Sequence, residues 1–345
     1  IADASLRMYK GTKDTSWADK AVGAAEQAAR LNDSLPEAHF ALGSVYDATG
    51  KSSEAIAELQ RALQLAPNSD EGYRRLGDAY RAAGRKDEAL QAYLKAITVN
   101  SYYWYNYLAL GNAYKSFGEF DKALEAYKKV IELAPRNAVG YSNIGTVYFQ
   151  RGQWNESIPW FQKALEVEPN YQLALSNLGT AYFYMKRYDD AVKTFEKAVE
   201  INPNQELTMG NLADSYRWAG QKAKADATYD KAIALAQKEL QVNPRQASPM
   251  GSLALYYAKK GDDSVAQRYI RSARSLDAAD VELLYMEAVV DTLGGRAQEA
   301  IQALRTAFEK GLPAKEATDD PELASLAKQP QFQSLLQQYQ PRTSK

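Results

Sequence analysis

Three asparagines recur at a constant interval in the middle of the chain. Asn143, Asn177 and Asn211 stand 34 residues apart. A side-chain amide carries a hydrogen-bond donor and an acceptor, so it can pair with both polar groups of an extended peptide backbone. A regular repeat would bring the three amides into a row. Two roles are compatible with this pattern: the amides bind a peptide, or they brace neighbouring helices through interhelix hydrogen bonds.

Hydroxyl, aromatic and charged residues follow the asparagines at the same interval, three, six and seven residues later. Spacings of three and four residues place side chains on one face of a helix. Aromatic rings beside amides would add apolar contact area for a ligand. The residues that share this helix face are Asn143, Asn177, Asn211, Thr146, Thr180, Asp214, Phe149, Phe183, Tyr184, Arg217 and Trp218.

Residue types that support catalysis or metal binding are scarce. The chain has one histidine, His39, and no cysteine, which excludes thiolate metal sites, disulfides and His-dependent catalytic triads. His39 occupies a position used for packing between helices, so we expect a structural role. Acidic pairs such as Asp262 and Asp263 fall at helix starts, where they cap backbone donors. The sequence predicts no catalytic residue, metal site or cofactor, and no enzyme activity in this chain.

Composition narrows the classes of partner. Among 345 residues, 42 lysines and arginines balance 43 acidic residues, so no basic field for nucleic acid is expected. No apolar run approaches the roughly 18 residues that span a membrane, so no direct membrane contact is expected. The chain opens with Ile1 and shows no signal peptide, which we interpret as a processed chain or a piece of a longer protein. The compartment stays open between cytoplasm and periplasm.

A 34-residue repeat underlies these patterns. Small residues and tyrosines recur in register, further glycines mark turns, and prolines close several units. Each unit therefore predicts two helices of about 14 residues joined by a turn. The repeated glycines in Leu-Gly pairs are Gly43, Gly77, Gly111, Gly145 and Gly179.

This pattern resembles the tetratricopeptide repeat family over about residues 36–313, in eight units. The resemblance implies an all-α fold, a right-handed superhelix (α-solenoid) of helix–turn–helix repeats. It also implies that the first helices line a concave groove that contacts a protein or extended peptide. We therefore predict that the eleven residues on the face of Asn143, Asn177 and Asn211 form a peptide-binding groove. The lysine and asparagine clamp of chaperone-binding relatives is not matched, since the corresponding positions include Phe40 and Ser44.

Departures from the repeat predict the organisation of the chain. We expect an irregular helical hairpin at 1–35, six units at 36–246 and two further units at 247–313. The sixth unit carries seven extra residues before Pro244, which predicts a lengthened second helix. Residues 314–345 are expected to form capping helices and a tail. There Asp320 and Pro321 mark a helix start, and Phe332 begins an apolar stretch that closes the last hairpin.

Several short motifs are not part of the general repeat pattern. They are Leu6-Arg7-Met8-Tyr9-Lys10 with Asp14 and Trp17-Ala18, Tyr103-Trp104, Val242-Asn243-Pro244-Arg245, Asp320-Pro321-Glu322-Leu323 and Pro330-Gln331-Phe332. Together they resemble the C-terminal repeat region of bacterial transmembrane serine/threonine protein kinases. That resemblance implies a sensor or docking region of a larger signalling protein. No kinase motif occurs in these residues, so a kinase domain would lie outside this chain.

Other functions compete with peptide binding. Self-assembly into a homo-oligomer would use the same surfaces, and a small-molecule sensor would use the aromatic part of the groove. The aromatic run from Tyr102 to Tyr107 serves either interhelix packing or a binding patch. A charged stripe that includes Arg74 and Arg75 is expected to be solvated or to contact acidic groups.

Overall fold

The computed structural model describes residues 1–12 and 15–339, and this part of the chain is helical throughout. It contains twenty α-helices and one 3-10 helix, with no β-strand among the described residues. The all-α prediction and the repeated helical hairpin are confirmed. Asp14 of the kinase-like opening motif and residues 340–345 of the expected tail lie outside the described residues.

The helices follow one another with short connections. They are α1 (Ala2–Thr12), α2 (Thr15–Leu31), α3 (Pro36–Ala48), α4 (Ser52–Leu65), α5 (Asp70–Ala82), α6 (Lys86–Val99), α7 (Trp104–Ser116), α8 (Phe120–Leu133), α9 (Ala138–Gln150), α10 (Trp154–Val167), α11 (Gln172–Tyr184), α12 (Tyr188–Ile201), α13 (Glu206–Trp218), α14 (Lys222–Val242), α15 (Ala247–Lys259), α16 (Asp263–Leu276), α17 (Val281–Leu293), α18 (Ala297–Glu309), α19 (Ala314–Asp319), the 3-10 helix (Pro321–Lys328) and α20 (Pro330–Tyr339).

The chain divides into two compact units, Ile1–Val147 and Tyr148–Lys345, called here the N-terminal and the C-terminal unit. In the N-terminal unit, helices pack as hairpins around large buried side chains such as Tyr93. Gly77 lies against that ring, and a Cβ there would stand 2.8 Å from it. Glycine is required at this crossing because any larger residue would push the two helices apart.

The turns inside the hairpins use the left-handed backbone conformation. Gly84, for example, has φ +71° between α5 and α6. The turn between α11 and α12 places Lys186 in the same conformation, with φ 60°. A non-glycine residue in this region is strained, which explains why glycine fills most of the equivalent turns.

The C-terminal unit packs its hairpins around Phe161, Phe195 and Tyr229, all almost fully buried. Its helix α14 has 21 residues, whereas α12 has 14. The two extra turns keep the apolar face in register, because seven residues make about two turns.

The last hairpin is covered by the end of the chain. Asp320 caps the 3-10 helix by accepting a hydrogen bond from the Glu322 backbone N–H at 2.8 Å, and Pro321 follows as its first residue. In α20, Phe332 and Leu335 are buried against the core of α17 and α18. The apolar face of the final repeat is thereby removed from water.

Candidate binding groove

The eleven predicted groove residues lie on the first helices of their hairpins, and all are half-buried. Asn143, Asn177 and Asn211 are the sixth residues of α9, α11 and α13 respectively. Asn143 and Thr146 belong to the N-terminal unit, and the other nine belong to the C-terminal unit.

In the N-terminal unit, Asn143 is engaged within the protein. Its amide Nδ2 donates to the Val139 carbonyl at 2.9 Å, and Lys115 Nζ donates to its Oδ1 at 3.5 Å. Thr146 Oγ1 donates to the Ser142 carbonyl of its own helix at 2.9 Å. Asn143 therefore links α7 to α9, which is the bracing role.

In the C-terminal unit, five predicted residues meet at one cavity of about 220 Å³. The cavity is lined from α11 and α13 by Thr180, Phe183, Tyr184, Asn211 and Asp214. Thr180 Oγ1 donates to its own helix, as Thr146 does. Asn177 lies half-buried on α11 and is outside this lining.

The remaining walls of this cavity come from parts of the sequence that were not predicted. Helix α15 supplies Ser252 and Lys259, α17 supplies Tyr285, and the chain end supplies Asp320 and Glu322. We call the space the cap cavity, and residues 314–328 the C-terminal cap.

The C-terminal cap is held by predicted groove residues. Glu322 accepts hydrogen bonds from the Arg217 guanidinium and from Trp218 Nε1, the latter at 3.1 Å. Asp320 accepts from the Tyr285 hydroxyl. Arg217 and Trp218, predicted as contacts for an external ligand, thus bind a segment of the same chain.

An aromatic cluster around Trp154 also contacts the C-terminal cap. Trp154 Nε1 donates to Asp319 at 2.8 Å. The Trp154 ring stacks on Tyr184 with centroids 4.8 Å apart, and Phe149 meets it edge-on at 4.6 Å. These contacts fix the ring of Tyr184 in the wall of the cap cavity.

A buried ion pair forms the floor of the cavity. Lys259, whose side chain is 7% exposed, lies 2.6 Å from Asp214, which also accepts from the Tyr229 hydroxyl. Burial alone would lower the pKa of Lys259, but the carboxylates of Asp214, Glu322 and Asp320 together outweigh it and raise that pKa. The lysine therefore stays charged.

Ser252 and Lys259 were missed because the seven extra residues before them interrupt the 34-residue interval. Counted from its helix start, Ser252 is the sixth residue of α15, as Asn211 is of α13. Lys259 is the thirteenth residue, as Trp218 is in α13. Realigning the repeat after the lengthened helix α14 would have found both.

The single histidine has a structural environment, as expected. His39 is buried, its Nδ1 lies 2.7 Å from Glu58 Oε2, and its Nε2 lies 2.8 Å from the Asp33 carbonyl. Asp262 caps α16 by accepting from the Val265 N–H at 3.2 Å, so its expected capping role is confirmed.

The expectation of a solvated stripe is wrong for Arg74. This side chain is buried, pairs with Asp70 at 2.9 Å and lies over the rings of Tyr103 and Tyr105. Its other partner is the fully buried Asn106. The aromatic run therefore packs onto Arg74, although Tyr105 stays 43% exposed.

In the part of the chain that the structure describes, no helix combines the length and the apolar character that spanning a bilayer requires. Within residues 1–12 and 15–339, no three histidine, aspartate or glutamate side chains are grouped as ligands for one metal ion.

Comparison with protein families gives a consistent result along most of the chain. Four models, each described as a tetratricopeptide or TPR repeat, match residues 18–70 and 40–102, 111–150, 137–204 and 182–248. None of the curated protein sequences matches the chain significantly.

Several solved structures are similar. A tetratricopeptide repeat protein from Parabacteroides merdae is 17% identical, with TM-score 0.52, covering 75% of this chain and 99% of that one. The anaphase-promoting-complex hetero-tetramer Cut9-Hcn1 is 16% identical, with TM-score 0.52, covering 78% and 52%. MamA is 26% identical, with TM-score 0.44, covering 48% and 97%. The first two confirm the solenoid fold.

Proposed function

Because the chain is a tetratricopeptide-repeat protein, we propose that it is a non-catalytic scaffold that binds a protein or an extended peptide. The face that does so is formed by the first helices of the hairpins. Within the C-terminal unit, this face presents Asn177, Phe183 and Asn211.

Exposed apolar residues on that face carry the proposal. Leu173 and Leu207 are the second residues of α11 and α13, and they are 54% and 50% exposed. Large aliphatic side chains left in water favour association, because burying them releases free energy. Both leucines precede the asparagine of their helix by four residues, about one turn. A peptide that covers the leucines would therefore pass the side-chain amides.

The test compares two variants of the same size. The groove variant combines Asn177→Ala and Asn211→Ala, both in the C-terminal unit. The control combines Asn170→Ala and Asn204→Ala, which change exposed asparagines in turns of the C-terminal unit. After checking that both melt at similar temperatures, each is used to capture proteins from a lysate of the source organism, and captured proteins are then retested in purified form.

A purified partner that binds wild type and the control, but not the groove variant, supports the proposal. Equal binding by all three chains would place the site elsewhere. A mass that grows with concentration, with no partner captured, would favour self-assembly.

We further propose that the chain is the docking or sensor region of a larger bacterial signalling protein of the serine/threonine kinase type. The short motifs at both ends of the chain and around Tyr103-Trp104 support this proposal. The upstream reading frame of the gene tests it: kinase motifs there would support it, and their absence would contradict it.

A further inference from the structure

The C-terminal cap has an apolar side and an acidic side. Leu323 and Leu326 lie buried in the core formed with α17 and α18, where α20 also packs. These apolar contacts cover the last hairpin. The carboxylates of Asp319 and Glu322 instead contact α10 and α13, helices that lie more than a hundred residues earlier in the chain. Covering the last hairpin therefore does not require the acidic side.

Three side chains meet the acidic side with hydrogen-bond donors, and we call Trp154, Arg217 and Trp218 the donor surface. The guanidinium of Arg217 and the indole N–H of Trp218 converge on one carboxylate, that of Glu322. Trp154 Nε1 donates to Asp319 at 2.8 Å. Guanidinium and indole groups donate hydrogen bonds and accept none, so this surface matches negative charge. Arginine paired with a carboxylate is a recurring means of recognising acidic ligands.

The donor surface continues the face that we propose to bind a partner. Arg217 and Trp218 are the last two residues of α13, and Leu207, the second residue of this helix, is 50% exposed. About 15 Å of helix separates Leu207 from the two donors. A peptide that lies along α13 from the exposed leucine would therefore reach the position where Glu322 is bound.

Burying the cap carboxylates has an electrostatic cost. The Glu322 side chain is 5% exposed, and burial raises its pKa above the ordinary value although Lys259, Arg217 and Trp218 oppose the shift. Its charged form is thus less stable in the cap than in water. The cap consists of helical segments of six and eight residues, which are too short to be stable alone. A carboxylate supplied by a partner would therefore compete with Glu322 without having to melt a long helix.

We propose that the donor surface recognises an acidic segment of a protein partner, and that the C-terminal cap occupies this surface until the partner displaces it. The segment presents two carboxylates three residues apart, which is the spacing of Asp319 and Glu322 in the cap. Phe332 and Leu335 of α20 keep the last hairpin covered during the exchange. Because the segment belongs to the same partner, this proposal rests on the proposed function.

A binding measurement with synthetic peptides tests the exchange. The acidic peptide has the sequence of residues 314–328, and the amide peptide has the same sequence with Asp319→Asn and Glu322→Gln. The receiver is the full chain, either wild type or an open variant that carries the same two substitutions in its own cap.

The acidic peptide should bind the open variant at least about tenfold more tightly than wild type, because the intact cap of wild type competes with it. The amide peptide should bind the open variant at least about tenfold more weakly than the acidic peptide does, because its hydrogen bonds to the donor surface carry no charge on the acceptor.

Two further variants assign the effect to the donor surface. Arg217→Gln, added to the open variant, removes one donor without changing the cap further, so the affinity for the acidic peptide should fall about tenfold. Asp230→Asn changes an exposed carboxylate that pairs with Lys260, and this variant should bind the acidic peptide as wild type does. Hydrogen exchange in the open variant should accelerate in residues 314–328 while α15 to α18 keep their wild-type rates, which checks that the unit stays folded.

The proposal is overturned if the acidic peptide binds wild type and the open variant equally, or if the amide peptide binds as tightly as the acidic one. Unchanged exchange in residues 314–328 of the open variant would also overturn it. A wild-type chain that dimerises with rising concentration, while the open variant stays monomeric, would assign the donor surface to a second copy of the chain and contradict recognition of a partner.

Failure of this proposal is distinguishable from failure of the proposed function. A captured partner that binds wild type and the open variant with equal affinity would overturn the acidic segment and leave the proposed function standing. Peptide binding as expected, with equal capture of partner by wild type and by the variant with Asn177→Ala and Asn211→Ala, would contradict the groove face and support the donor surface.

Discussion

In the N-terminal unit, Arg75 pairs with Glu71 one turn earlier on the same helix, and both side chains remain partly in water. In the C-terminal unit, Lys259 on α15 reaches Asp214 on α13, 45 residues away, and both charges are largely buried. The Arg75–Glu71 pair thus stays within one helix and is partly exposed, whereas the Lys259–Asp214 pair is buried and joins two hairpins.

This difference shows how the C-terminal unit forms an enclosed space. Lys259–Asp214 joins two neighbouring hairpins, and Arg217–Glu322 joins α13 to the C-terminal cap, 105 residues away in the sequence. Removing one charge from a buried pair leaves its partner uncompensated. The C-terminal unit should therefore depend more strongly on single residues than the N-terminal unit does.

The largest expected effect follows from Phe332→Ala. Truncating this buried ring should lower the free energy of unfolding of the C-terminal unit by about 3–5 kcal/mol, because a cavity replaces packed atoms. Hydrogen exchange should accelerate in α17, α18 and residues 314–339, with α3 to α8 unchanged. Equal acceleration of exchange in both units would contradict the stronger dependence of the C-terminal unit on single residues.

A matched pair of charge deletions sharpens the contrast. Lys259→Met should destabilise the C-terminal unit by about 3–5 kcal/mol, because Asp214 loses its buried partner. Arg75→Met should cost less, about 1 kcal/mol, since it breaks a partly exposed pair with Glu71 and one hydrogen bond to Ser44. Urea unfolding of both variants provides the measurement, and similar midpoints would refute the distinction.

Glu206 gives the C-terminal unit a dependence on pH. Burial raises its pKa to about 7, although the Tyr256 hydroxyl donates to it and opposes the shift. The folded protein then holds a proton that the unfolded chain releases near pH 4.5, so this residue makes stability fall as pH rises from 4.5 through 7. Glu206→Gln should remove that loss, about 3 kcal/mol above pH 7.

Unfolding measured across that pH range tests the Glu206 prediction. The neutral amide keeps an acceptor for Tyr256, so the fold should persist. A Glu206→Gln variant with the same slope of stability against pH as wild type would contradict the assignment.

His39 should give the smallest effect, confined to the N-terminal unit. Burial lowers its pKa, but the hydrogen bond to Glu58 and the Asp33 carbonyl together raise it above the ordinary value of 6.5. Its contribution is complete below pH 6.5 and is lost as pH rises through the folded pKa. His39→Gln should flatten this part of the stability profile, measured by hydrogen exchange in α3 and α4.

The 34-residue spacing was sufficient to predict the helical hairpins, because it reflects which residues must be buried in every unit. It placed Asn211 and Asp214 on one face of α13, and both line the cap cavity. It could not reveal that Arg217 and Trp218 hold Glu322, since that contact joins residues more than a hundred positions apart.

The repeat spacing also could not predict which groups the Asn143 side chain contacts. An amide at a repeated position has the same sequence signature whether it binds a ligand or braces helices. Lys115, which contacts Asn143, belongs to the preceding hairpin. The residues 34 and 68 positions after it are Phe149 and Phe183, so the repeat does not predict a lysine there.

The central claim is that the chain binds its partner through the face of its first helices. A photo-crosslinking amino acid placed at Leu173 or Leu207 tests this most directly, with Lys197 on the exposed side of α12 as the matched control. We predict that the partner crosslinks from the two leucine positions and not from Lys197. Crosslinks from Lys197 alone would contradict it.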